Sequence, residues 1–193
     1  NVGTLAIVYD IANDVVVSKK DLGPMDWATM SQSGQYVVSR PSPQSLGVVV
    51  YDLNLNLLRK ILNKGQHGDC GYDAAGNEVY VQMCPLEMSR LDNAQVTSLG
   101  INMCGHLSTR NHLRPGWASV DDGGSNAEIF ALKLDGTKTV ERFAHMRTTG
   151  LTYDASAKGV FSPDGSKVMF NSDWGGGAAY AYVAEMPDSG GAP

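Results

Sequence analysis

Three of the four histidines in this 193-residue chain recur at a fixed step: His67, His106 and His145 are each 39 residues from the next. Imidazole titrates near neutrality and ligates metals in its neutral form. A set gathered by a repeating fold would therefore suit a divalent cation (manganese, calcium or zinc) or a general base. Arginines accompany the histidines. Arg110 follows His106 by four residues, which in a strand puts both on one side, and Arg114 and Arg147 come next. Guanidinium groups match carboxylates and sulfates in shape and charge. His106 and Arg110 are thus the candidate catalytic residues, Arg110 and Arg147 the candidate binding residues, and His67, His106 and His145 the candidate metal ligands.

A plainer role stands beside each of these. A Gly-His pair such as Gly105-His106 ahead of a strand can hydrogen-bond within its own sheet, and rim arginines can pair with Asp69, Asp73 or Asp154 to hold loops together. His112, six residues beyond His106, falls on the same face but deeper or at the far exit. Asp10, Asp52, Asp92 and Asp135 recur at one turn position and read as caps. Asp121-Asp122-Gly123-Gly124 lacks calcium-loop spacing and reads as a hairpin turn. Trp27, Trp117 and Trp174 sit at strands and read as core wedges rather than sugar platforms. The chain has no P-loop, dinucleotide fingerprint, nucleophile elbow or HExxH motif.

The elements that must position these residues are strands. Short apolar runs rich in Val and Tyr, such as Val48-Val49-Val50-Tyr51 and Val79-Tyr80-Val81, alternate with Gly, Asp, Asn and Ser, the pattern of an all-β chain. Turn signals recur in two interleaved series. Ser31-Gln32-Ser33-Gly34, Asp73-Ala74-Ala75-Gly76 and Ser162-Pro163-Asp164-Gly165 each lead into a strand, with Arg114-Pro115-Gly116 as the intermediate member. Tyr9-Asp10, Tyr51-Asp52, Leu91-Asp92 and Leu134-Asp135 form the second series. A period near 42 residues with four strands per unit marks β-propeller blades. The spacing predicts a partial blade over 1–22, full blades near 24–62, 67–100 and 104–144, and three strands of another over 156–187, with 188–193 as a tail. That is about four to four and a half blades, expected to be part of a larger propeller.

Composition sets further bounds. Hydrophobic residues make up 42% and charged residues 18%, which excludes a disordered chain. A net charge of −5 argues against a nucleic-acid partner, and no apolar run reaches the eighteen or so residues of a membrane span. The start, Asn1-Val2-Gly3-Thr4-Leu5, carries neither an initiator methionine nor a signal peptide, so the beginning is expected to have been removed or never determined. Cys70, Cys84 and Cys104 allow at most one internal disulfide.

The stretch SPDGSKVMFNSDWG (Ser162 to Gly175) resembles blades of TolB-like propellers. GQHGDCGYDAAGNEVYVQ (Gly65 to Gln82), GHLSTRNHLRPGWASV (Gly105 to Val120) and EIFALKLDG (Glu128 to Gly136) resemble a secreted bacterial branch of that group, to whose structural circle the oligogalacturonate lyases belong. The resemblance implies a periplasmic or extracellular propeller of about seven blades acting as a binding or assembly module, its partner an acidic oligosaccharide or another protein, with self-assembly through open blade edges as a further route. The alternative it implies is a lyase-like enzyme cleaving acidic oligosaccharides by β-elimination, with His67, His106 and His145 on a divalent metal and Arg110 clamping the uronate carboxylate.

Overall fold

The computed structural model describes residues 4–122, 128–149 and 152–186. The expected tail over 188–193 and the glycine half of the Asp121–Gly124 turn lie outside these residues. Seventeen strands form five antiparallel sheets. A two-stranded sheet, β1 (Leu5–Asp10) and β2 (Val15–Asp21), comes first. Three four-stranded meanders follow: β3 (Met25–Met30), β4 (Val37–Pro41), β5 (Val48–Tyr51) and β6 (Leu57–Leu62); β7 (Gly68–Tyr72), β8 (Glu78–Gln82), β9 (Glu87–Arg90) and β10 (Val96–Ser98); β11 (Leu107–Ser108), β12 (Trp117–Asp121), β13 (Glu128–Lys133) and β14 (Val140–His145). Three strands, β15 (Val160–Phe161), β16 (Lys167–Ser172) and β17 (Tyr180–Glu185), make the last. This is a β-propeller arrangement of four-stranded blades, and its only helical piece among the described residues is one turn of 3-10 helix at Gln44–Leu46.

Strand alternation explains why the blades stack. Val37, Val49 and Tyr51 pack against Val8 of the preceding sheet, whereas Val38, Val48 and Val50, on the other face of the same strands, pack against Cys70, Tyr80 and Leu91 of the next. Both faces of a middle blade are therefore core, and its strands read as continuous valine runs. The seam between the β7–β10 and β11–β14 blades is the largest, joining Val79, Val81, Met83, Leu86 and Met88 to Ala118, Val120, Phe130, Leu132 and Leu134. Val168, Phe170 and Phe161 of the last sheet close onto Ile129, Ala131 and Met146.

Each inner strand ends in the same turn. The amide of Gly34 donates to Ser31 O, Gly76 to Asp73 O and Gly165 to Ser162 O, at 2.9–3.0 Å. In the β11–β14 blade the equivalent bond runs from Arg114 N to Asn111 O at 2.8 Å. That turn thus closes on Arg114, two residues earlier than the glycine pattern predicts. Gly116 (φ +82) instead lies against Ala74 of the neighbouring blade and donates to Tyr72 O. Of the periodic aspartates, Asp10, Asp52 and Asp135 do cap their turns, accepting the amides of Asn13, Asn56 and Thr137. Asp92 pairs with Arg90 instead.

Candidate functional site

The inner strands β3, β7, β11 and β15 have two ends, and the expected site residues divide between them. At the leading end, His67 directly precedes β7; its carbonyl accepts from Met83 N at 3.1 Å and its ring is exposed. Partial burial lowers its pKa, helped by the nearby Arg40 guanidinium and the His106 imidazole. His106 precedes β11 and is held by its own blade. Its amide donates to Asp121 Oδ1 at 2.7 Å, its carbonyl accepts from Asp121 N, and Nδ1 lies 3.6 Å from Asp121 Oδ2. Buried Asp121 also accepts from Gly159 N at 3.2 Å. One carboxylate thereby ties the start of β11, the end of β12 and the run into β15.

His145 stands elsewhere. It is the last residue of β14, the outermost strand of its blade, paired across to Glu128, with Nε2 3.8 Å from Glu128 Oε1. The expected convergence of His67, His106 and His145 on one rim does not occur. His67 and His106 sense each other, and His145 lies on the outer edge. Among the described residues no group of three His, Cys, Asp or Glu side chains is placed to hold a metal ion.

Arg110 departs from expectation too. It shares β11's run with His106, but four residues of extended chain span about 13 Å, and the guanidinium works at the trailing end. Its NH2 donates to Asp69 Oδ1 at 2.6 Å and to Thr29 Oγ1 at 3.0 Å, reaching two other blades. Buried Asp69 in turn accepts from Thr109 N at 3.1 Å, and the Gln32 amide donates to the Thr109 carbonyl. Around this junction opens a cleft of about 540 Å³ lined by the turn Ser31–Gly34 with Met30, Tyr72, Arg110 and His112. The Arg110 side chain keeps 50% of its exposure there. His112 thus sits at the far exit.

Arg114 is structural, bound to Glu141 Oε2 at 2.6 Å and lying over the Trp117 ring. Arg147 is exposed and makes no ion pair with another described residue. Gln32, Thr29 and Tyr72 were not singled out by the sequence. The one available signal was Asp69 itself, a carboxylate inside an inner strand of small residues, which requires a buried cation or donor. Cys84, in the β8–β9 turn, is disulfide-bonded to Cys104, on the run into β11, with their Cα atoms 5.1 Å apart. Cys70 is free and buried, and that burial pushes its thiol pKa up.

These features define a β-propeller whose polar residues gather at the two mouths of its inner strands. No protein-family model matches the chain, and no curated protein matches it in sequence. Its likeness is to solved propeller structures. An oligogalacturonate lyase in complex with manganese superposes with a TM-score of 0.65 at 16% identity, over 94% of this chain and 54% of that one. TolB from Acinetobacter baumannii gives 0.58 at 15% identity, over 94% and 46%. A putative TolB from Agrobacterium tumefaciens gives 0.57 at 17% identity, over 96% and 72%. At such identities the likeness establishes the fold, and this chain spans about half the length of the first two neighbours.

Proposed function

We propose that this propeller is a binding module acting outside the cytoplasm, and that it takes an anionic ligand, an acidic oligosaccharide above all, at the trailing mouth of its inner strands. One observation carries the reading: Arg110 is fixed at one nitrogen by Asp69 and Thr29, yet half its surface faces a cleft of about 540 Å³. A guanidinium held on one side presents its remaining N–H groups already oriented, which reduces the entropy lost on clamping a carboxylate. His112 and Tyr72 line the same cleft, and Tyr72 offers an aromatic wall. The disulfide between Cys84 and Cys104 supports an oxidising compartment. No helix among the described residues is long and apolar enough to cross a membrane.

The lyase-like alternative draws on the likeness to the manganese-bound oligogalacturonate lyase. The residues described here do not by themselves fit such a metal: His67 and His106 offer two imidazoles, and His106 already faces Asp121. That reading therefore needs donors from outside the described residues. The test of the binding reading is calorimetric titration with a uronic-acid oligosaccharide beside a neutral one of equal length. Preference for the acidic ligand, weakened tenfold or more in Arg110→Ala and less in Arg110→Lys, is expected. Equal affinity in wild type and Arg110→Ala would overturn it.

A further inference from the structure

Of the three tryptophans, Trp174 is the one that fails as a core wedge. Trp27 packs into a seam against Tyr80 and Trp117 into the last seam, whereas Trp174 is 58% exposed. It is not loosely hung. Its ring centre lies 5.1 Å from that of Tyr182, and Tyr182 lies 6.0 Å from buried Phe170, so three rings run from the last seam out to solvent. Tyr180, on the same face of β17 as Tyr182, extends the exposed aromatic surface.

The backbone beneath Trp174 is unusual. Its φ is +46°, in the left-handed region that side chains with a Cβ adopt at a cost, although Gly175, Gly176 and Gly177 stand beside it in the same turn. Three bonds hold the turn, one local and two from 24 residues away: Trp174 N donates to Ser172 Oγ at 2.9 Å, and Asp173 accepts both the amide and the hydroxyl of Thr149. The bonds from Thr149 bring in a cation. Arg147, two residues before Thr149, is exposed, also left-handed (φ +55°) and without an ion pair among the described residues. The chain and the 2.8 Å bond from Thr149 N to Asp173 hold the Cα atoms of Arg147 and Trp174 within roughly 20 Å, a gap that two long side chains and one ligand can bridge.

We propose that Trp174, backed by Tyr182 and flanked by Arg147, is a second ligand subsite on the rim of the last seam, and that it stacks a sugar ring bearing a carboxylate. The indole face suits the apolar C–H face of a pyranose, the ring ladder fixes the indole in place, and the free guanidinium selects an acidic sugar over a neutral one. With the trailing-mouth reading it shares only the class of ligand, so either can fail alone.

The test uses the full chain carrying Arg110→Ala, which removes the mouth contribution. A uronic-acid oligosaccharide should still quench its tryptophan fluorescence. Adding Trp174→Gly should abolish the quenching and leave the thermal midpoint equal or higher, since glycine relieves the left-handed residue. Arg147→Ala should weaken acidic binding severalfold and leave a neutral oligosaccharide unaffected. Quenching that survives Trp174→Gly, a midpoint that drops by several degrees as for a lost core wedge, or quenching by an acidic peptide but not by the sugar would each overturn the proposal.

Discussion

The two ends of β11 solve different problems with similar residues. At its leading end His106 is secured within one blade, by Asp121 on the adjacent strand. At its trailing end the Arg110 guanidinium spans to Asp69 of β7 and Thr29 of β3. The leading end is a closed structural bond; the trailing end is a junction of three blades with half a guanidinium to spare. A buried carboxylate anchors both. What separates them is how the anchor is made: Asp121 holds His106 by its backbone, whereas Asp69 holds Arg110 by its guanidinium, half of which stays exposed.

Breaking the leading end should have the largest effect. Asp121→Ala orphans the amides of His106 and Gly159, and we expect a loss of about 3 kcal/mol in urea unfolding; a loss below about 1 kcal/mol would mean that Asp121 is no anchor. Next comes the covalent tie beside it. Replacing Cys84 and Cys104 by serine opens a 20-residue loop and should cost about 2 to 3 kcal/mol, read by the same measurement against the oxidised wild type. The trailing end should respond in the opposite sense. Arg110→Ala should lower stability by only about 1 kcal/mol, because Asp69 keeps its bond from Thr109, while acidic-ligand affinity falls tenfold or more.

The smallest effect is a pH dependence that belongs to the leading end alone. His67 has a lowered pKa, so the unfolded chain binds more protons in the window below the ordinary histidine value of 6.5. Its contribution is present above that value and is lost as the pH falls through the folded one. A second window opens under the carboxylates: Asp135 and Asp164 are held down at about 2 by the hydroxyls and amides of Thr137, Ser162 and Ser166. Their contribution is present above 3.8 and lost on descending toward 2. Thermal midpoints taken from pH 8 to pH 2 should show both declines, with the upper one removed by His67→Gln.

The fold was legible because turn chemistry repeats: Ser31, Asp73 and Ser162 each open the same backbone bond, and the valine runs between them can only be strands buried on both faces. The site was less so, and His145 shows why. Steps of 39 residues imply equivalent places only if blades have equal length. From Asp73 to Asn111 is 38 residues, but from Asn111 to Ser162 is 51, so a constant step lands on the outer strand β14. His106 and Arg110 do share one run of chain, yet a spacing of four in a strand separates the two mouths. Trp174 was misread because alternation says nothing about a residue held left-handed by its neighbours' side chains.

The unequal seams carry a consequence for how this molecule comes apart. Apolar packing joins each blade to its sequence neighbours, so cooperativity passes chiefly from seam to seam, with the bonds from Arg110 to Thr29 and from Gln32 to Thr109 as polar links that skip a blade. The seam between β7–β10 and β11–β14 is the richest and is also cross-linked by Cys84 and Cys104, whereas Val8 and a few neighbours hold the first sheet. That seam should therefore open last, and amide protons of β8 and β12 would exchange with solvent only through global unfolding.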